Sequence, residues 1–384
     1  MITWRAGTVV SLGAAWHGAQ ELEVEILPDG AADLRVALPA GTRVLALTFP
    51  PLMGVPTVGS RVLLNVSALV RGLGTGGYAL VVAPTDTLPP DPPDSPGHLV
   101  KARYTPLQAI VLGVDGQESV HHETLREADD LAGMPVVVAD LHSALPAIIA
   151  GARHAARLAG RPSPRVTYVM TDGGALPAWF SRTVAGLRDS GWLEASISVG
   201  QSFGGDLEAV TVHTGLLAAR LVVGSDLVVV VQGPGNLGTG TRWGFSGVGA
   251  GEAINAAATL HGRPVGSLRV SGADPRDRHR GVSHHSLTAY GRVALAAADI
   301  VVPVFTGAQG LAELGQRIAT QAVELAEPNG RHRLVEVEAG DALLAALRTA
   351  PVQLSTMGRG LGVDPAPFLA AAAAGVHAER LVAR

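Results

Sequence analysis

The sequence contains no cysteine. That absence excludes a disulfide framework, a thiolate nucleophile, a thiolate zinc site and ordinary iron–sulfur ligation. Lysine is almost as scarce: Lys101 is the single one, so the remaining basic residues are arginines. No GxxxxGK[ST] phosphate loop exists, and a Schiff base could use only Lys101, so no pyridoxal phosphate is expected. Charged residues make up only 16% of the chain, with a net charge of −4 and a pI near 6.3. Without a basic run, this balance argues against nucleic acid or an anionic membrane surface as a partner. Long hydrophobic runs are missing as well. Ala370 to Val376 is apolar, but His377, Glu379 and Arg380 follow it, well short of the roughly 20 residues that cross a bilayer. The N-terminal MITWRAGTVVSLGAAWHGA reads as strand and turn rather than as a signal peptide, and a cytoplasmic location is expected.

What is present is apolar mass: 47% of 384 residues, enough for two or three domains whose strands and helices are largely buried. Residues 1–84 hold short β-type runs divided by Gly, Pro and Asp, namely GTVVSL, ELEVEIL, DLRVAL, TRVLALTF, SRVLLNVSAL and GYALVVA. They predict a small all-β barrel or sandwich. In ELEVEI, Leu22, Val24 and Ile26 share one face and Glu21, Glu23 and Glu25 the other, so one face is wet. The proline-rich 85–98, TDTLPPDPPDSPGH, reads as a linker. From 99 to 384, apolar runs (AIVLGV, MPVVVAD, RVTYVMTD, ASISVG, DLVVVVQG, PVGSLRVSG, DIVVPVF, RLVEVE) alternate with helical segments at 143–159, 177–190, 207–223, 251–262, 286–298 and 309–326. Unpatterned strands alternating with helices predict an α/β domain with a mainly parallel, doubly wound sheet.

In such a sheet, ligands bind beyond the carboxyl ends of the strands, and polar residues collect in those loops. Asp140 and His142 follow MPVVVAD; Asp172, Gly173 and Gly174 follow VTYVMT; Gly204, Gly205 and Asp206 follow ISVG. The GPGNLGTGTR loop supplies Gly233, Gly235, Asn236, Gly238, Thr239, Gly240, Thr241 and Arg242. Its glycines allow positive φ and close backbone approach, so amides and a following helix could cradle an anion. They do not form GxGxxG, which leaves a dinucleotide site weakly supported, and a purely structural connection is the competing reading. The segment ADPRDRHRGVSHHS gathers Asp274, His279, His284 and His285 with Arg276, Arg278 and Arg280. Histidine transfers protons or binds metal near neutral pH, and a carboxylate orients it. A solvated salt-bridge cluster accounts for the same residues, with Ser286 capping the next helix and Asp206 capping the helix at 207.

Taken together, GLGTGGY, VVVADLHSALPAI, YVMTDGGALPAWFSR, GQSFGGDLEAVTVHTGLLAAR, VVVVQGPGNLGTGTRWGFSGV, GEAINA and ADPRDRHRGVSHHSLTAYGRVAL are similar to a bacterial family, domain of unknown function 3866. The resemblance carries neither a reaction nor a catalytic residue. From the residues themselves, the expected function is an enzyme, a hydrolase or transferase, acting on a small anionic metabolite. The Gly-rich loop and Arg242 hold the anion, His279, His284 or His285 acts as acid and base, and Asp172 or Asp274 orients it. A divalent metal is compatible with this set, and homo-oligomerisation stays open. A non-catalytic metabolite sensor and an assembly protein are the alternatives.

Overall fold

The computed structural model describes residues 2–28, 38–173, 177–307, 310–327 and 330–382. The chain divides into two compact units, Met1–Ser95 and Pro96–Arg384. In the first, β1 (Trp4–Trp16), β2 (Ala19–Ile26), β3 (Arg43–Thr48), β4 (Arg61–Asn65) and β5 (Ala79–Pro84) close into a barrel in the order β1-β2-β3-β5-β4. Leu22, Val24 and Ile26 fill its centre with Val44, Ala46, Val62, Leu64 and Val81, while Glu21, Glu23 and Glu25 stay partly exposed. The alternation of ELEVEI is that of a sheet with one wet face. Most of DLRVAL lies outside the described residues. Residues 85–96 are exposed and carry no regular structure.

The second unit opens with a short antiparallel pair, β6 (Leu99–Lys101) and β7 (Ala109–Val111). AIVLGV is therefore shared: residues 109–111 belong to this pair, while Gly113 bridges Glu208 at the edge of the main sheet in parallel and the Val114 amide donates to the Glu208 carbonyl at 2.7 Å. The main sheet comprises β8 (Pro135–Val138), β9 (Val166–Thr171), β10 (Ala195–Ser198), β11 (Leu207–Glu208), β12 (Leu227–Gln232), β13 (Arg263–Ser267), then, after the small antiparallel pair β14 (Val270–Ser271) and β15 (Gly281–Val282), β16 (Asp299–Val304) and β17 (Arg333–Glu338). All eight main strands are parallel, in the order β11-β10-β9-β12-β8-β13-β16-β17.

Both faces of the sheet are covered. Val228 and Val230 turn into one core with helices Val212–Ala218, Gly249–Thr259 and Ala312–Ala326; Leu227, Val229 and Val231 turn into the other with helices Leu145–Leu158, Arg182–Asp189, Asp341–Leu347 and Ala366–Leu381. This is why the strands read as continuous apolar runs. The predicted helix at 207–223 is corrected at its start. Leu207–Glu208 pairs with β10, and the helix begins at Val212 behind a Thr211 cap whose hydroxyl accepts from the Thr214 amide.

The strand order creates the crevice. From β8 the chain crosses through helix Leu145–Leu158 on one face, and from the neighbouring β12 it crosses through Gly249–Thr259 on the other. The two connections diverge at the carboxyl ends of β8 and β12, beside that of β13, the place where sheets of this kind bind ligands.

Candidate functional site

Asp140 stands just past β8, and Arg269 just past the adjacent β13. Arg269 Nη1 reaches Asp140 Oδ2 at 3.3 Å. Helix His284–Thr288 and the π-helical turn Ala289–Val293 that continues it are fastened over these strand ends by Tyr290. Its hydroxyl lies 2.8 Å from the Val138 carbonyl and 3.1 Å from that of Ser267. This fastening sets His285, whose Nδ1 lies 3.1 Å from Asp140 Oδ2 and 2.8 Å from Arg269 Nη1. Gln232, at the end of β12, donates to the backbone carbonyl of Asp140 at 2.6 Å. Burial works against ionisation of Asp140, but Arg269 and His285 outweigh it and hold the carboxyl below its ordinary value.

Three histidines converge beside that carboxylate. Ring centroids are 4.4 Å apart for His284 and His285, 5.0 Å for His279 and His284, and 5.1 Å for His279 and His285. One ring nitrogen of each lies within 4.8 Å of the other two. Phe245 stacks on His285 at 3.8 Å with planes 9° apart. His279 is carried on the loop between β14 and β15, and its Nδ1 sits 2.7 Å from Ser283 Oγ. The same hydroxyl accepts from the His285 amide, so Ser283 and not Ser286 caps the helix; Ser286 Oγ accepts from the Arg269 amide instead. Nε2 of His284 is enclosed and has no hydrogen-bond partner among the described residues. Burial, reinforced by neighbouring cations, pushes His279 down to about 3 and His284 down to about 4. Both rings are neutral at physiological pH, which suits a base or a metal ligand.

A cavity of about 870 Å³ opens against His284 and is lined by Arg242, Arg278, Arg292, Arg331 and Gly240, with Glu324 as the carboxylate of its wall. Among the described residues none of these four arginines forms an ion pair, although Arg331 donates to the Ala294 carbonyl. The cavity therefore presents a strongly cationic wall to solvent.

The predicted residues divide. His279, His284 and His285 come together, with Arg242 and Gly240 on the adjoining cavity. The rest of the Gly-rich loop folds on itself rather than presenting all of its amides. Gly233 donates to the Thr171 carbonyl, Thr239 to that of Gly244, and Leu237 to Ser246 Oγ, whose hydroxyl in turn donates to Asn236. The Thr239 and Thr241 hydroxyls bond each other, and Gly235, Gly238, Thr239 and Thr241 are exposed. Gly235 and Gly240 take φ of +96° and +80°, as such a tight loop requires.

Asp172 and Asp274 do not orient a histidine. Asp172 accepts from the Gln201 amide, and Asp274 is buried between Arg276 and Arg359, which hold its carboxyl far below its ordinary value. Nor does Asp206 cap a helix. It accepts from the Ser196 amide and hydroxyl and pairs with Arg188, clasping the sheet edge. The amides of Gly204 and Gly205 donate to Glu208. Arg280 is exposed. His142 is held between the Tyr168 hydroxyl and Ser181 Oγ. Gly174 lies outside the described residues.

Sequence reasoning missed the role of Asp140 and missed Arg269, Ser283, Phe245, Arg292 and Arg331. A carboxylate directly after the apolar run PVVVA was the available signal for Asp140. The others are identified only by strand order and helix docking. No helix among the described residues is long and apolar enough to cross a membrane. No curated protein and no solved structure matches the chain. The model of the family DUF3866, described as a protein of unknown function, matches residues 45–375, and the chain belongs to that family.

Proposed function

We propose that the protein is an enzyme that hydrolyses, or transfers a group from, a small anionic metabolite. One observation carries this reading: the cavity lined by four arginines free of acidic partners is lined also by His284, a neutral member of the three-histidine cluster. Each charge-assisted hydrogen bond from a guanidinium to an anion contributes about 1.5 to 3 kcal/mol. Four such groups select for negative charge over neutral metabolites of the same size. Neutral His284 supplies a basic nitrogen beside the bound anion, and a positioned base of this kind contributes about 10²- to 10⁴-fold to a rate. Anion binding moves from the loop backbone to arginine side chains in this reading, because several of the loop amides are consumed internally.

The experiment is a thermal-shift and calorimetric screen of phosphate, pyrophosphate, phosphate monoesters and di- and tricarboxylates, followed by product analysis for each anion that binds. Arg278→Ala and Arg292→Ala should each weaken the best binder about 10- to 100-fold, the equivalent of one charged hydrogen bond. Arginine variants that bind as tightly as the parent remove the cavity from the reading. Binding with no product from any anion makes the protein a metabolite sensor.

A further inference from the structure

We propose that His279, His284 and His285 hold a divalent transition-metal ion through their Nε2 atoms, with a fourth coordination position open to water. The site stands on geometry alone, while its role as the source of the nucleophile rests on the hydrolytic reading above.

Elimination fixes the donor atom of His279 and of His285. Nδ1 of His279 is engaged by Ser283 Oγ, and Nδ1 of His285 by Asp140 and Arg269. Each ring therefore has Nε2 left to offer. Nε2 of His284 is already enclosed and without a partner, an arrangement that costs free energy unless something accepts its interaction. One ring nitrogen of each histidine lies within 4.8 Å of the other two. A tetrahedral ion bound at about 2.0 to 2.1 Å needs its donor nitrogens about 3.3 Å apart, so the rings draw together on binding. His284, the most exposed of the three, has the freedom to make that adjustment.

The surroundings are those a metal-bound imidazole requires. A ligating histidine donates its other ring N–H to a carboxylate, carbonyl or hydroxyl, which fixes its tautomer and raises its basicity. Asp140 stands in that relation to His285, and Ser283 to His279. Nδ1 of His285 lies between a donor, Arg269 Nη1, and an acceptor, Asp140 Oδ2. It cannot serve both at once. Metal on Nε2 selects the tautomer with the proton on Nδ1 and directs it to Asp140. Asp140 is thus a positioning residue.

Three imidazoles favour Zn²⁺, Co²⁺, Ni²⁺ or Cu²⁺ over the oxygen-seeking Mg²⁺ and Ca²⁺. Three protein ligands also leave the open position of a catalytic rather than a structural zinc site. A water bound there releases its proton to solvent near neutral pH and remains as hydroxide beside the arginine cavity.

The test uses the full chain, stripped with a chelator and titrated with Co²⁺, with no substrate present. One Co²⁺ per chain should bind and give the visible d–d absorption of a tetrahedral site; Zn²⁺ should displace it and Mg²⁺ should not. His284→Gln, at the most exposed of the three ligands, should weaken Co²⁺ binding more than 100-fold without changing the far-ultraviolet dichroism. Asp140→Asn should weaken it about 10- to 100-fold with the d–d band retained. Should Asp140→Asn not fold, Ser283→Ala tests the same outer contact at His279 and should weaken binding in the same range. The proposal is overturned if neither Co²⁺ nor Zn²⁺ binds the stripped protein, or if folded His284→Gln binds Co²⁺ like the parent. The anion screen on the metal-free protein reads the arginine cavity separately, so either idea can fail while the other stands.

Discussion

Lys101, the one lysine, is fully buried, and its ammonium donates to the carbonyls of Ser202 at 2.8 Å and Ala209 at 2.9 Å. Glu208 Oε2 lies 3.3 Å away, and its other oxygen accepts from the amides of Gly204 and Gly205. The ammonium is therefore built into the junction of β6 with the loops flanking β11. Burial pushes Glu208 up to about 7 against the pull of Lys101, and the same burial pulls the Lys101 amine down. Removing one partner of such a pair costs about 3 to 5 kcal/mol because the other charge is left uncompensated. Lys101→Met should show this in urea unfolding, and the cost should depend on pH with a definite sign. The folded value of Glu208 lies above the ordinary 4.5, so the folded state holds the proton more tightly and stability falls as pH rises through the folded value. The deficit of Lys101→Met should be small below about pH 7, where folded Glu208 keeps its proton with or without Lys101, grow above it, and be largely relieved by adding Glu208→Gln. A deficit independent of pH would mean that lost packing, and not the stranded carboxylate, is responsible.

At the scale of elements, helices Leu145–Leu158 and Ala366–Leu381 pack tightly at two glycines. A Cβ added at Gly151 would lie 1.9 Å from the Ala372 carbonyl oxygen, and one added at Gly375 would lie 1.9 Å from that of Ile148. Backbone meets backbone at both points, so neither helix can yield by rotating a side chain. Gly375→Ala should therefore cost at least the roughly 1 to 3 kcal/mol of an overpacked core, despite the better intrinsic helix propensity of alanine. Gly362→Ala, which meets nothing within 4 Å, should stay within about 0.5 kcal/mol of the parent. Melting temperatures of the two variants decide it, and equal values would refute the contact. The same helix marks the limit of what the sequence displays. Its run of alanines has almost no amphipathic pattern, because it is buried nearly all round. The strands, by contrast, are legible as apolar runs because both sheet faces are covered, and ELEVEI is legible because only one face is. AIVLGV and Leu207–Glu208 are not, since a short apolar segment has no local signal that says which edge will accept its hydrogen bonds.

For the whole molecule, legibility ends where side chains meet across long stretches of chain. The histidines are neighbours in sequence and can be picked out, but Asp140 and His285 are 145 residues apart, and only the pairing of β13 with β8 and the docking of Tyr290 bring them together. Arg292 and Arg331 reach the same cavity from different connections. Every one of these residues, with every partner that orients it, falls within Pro96–Arg384, and each of the three hydrophobic clusters lies wholly within one unit. A unit that holds its own core and has no core residue in the other meets the requirement for independent folding. The fragments 1–95 and 96–384, produced separately, should each melt cooperatively, and the longer one should bind Co²⁺ and the best anion of the screen within about threefold of the full chain, a difference of under 0.7 kcal/mol. If fragment 96–384 folds yet has lost either ligand, the barrel contributes to binding and the site is not confined to Pro96–Arg384. If the fragment is insoluble or melts without cooperativity, the two units are not separable domains.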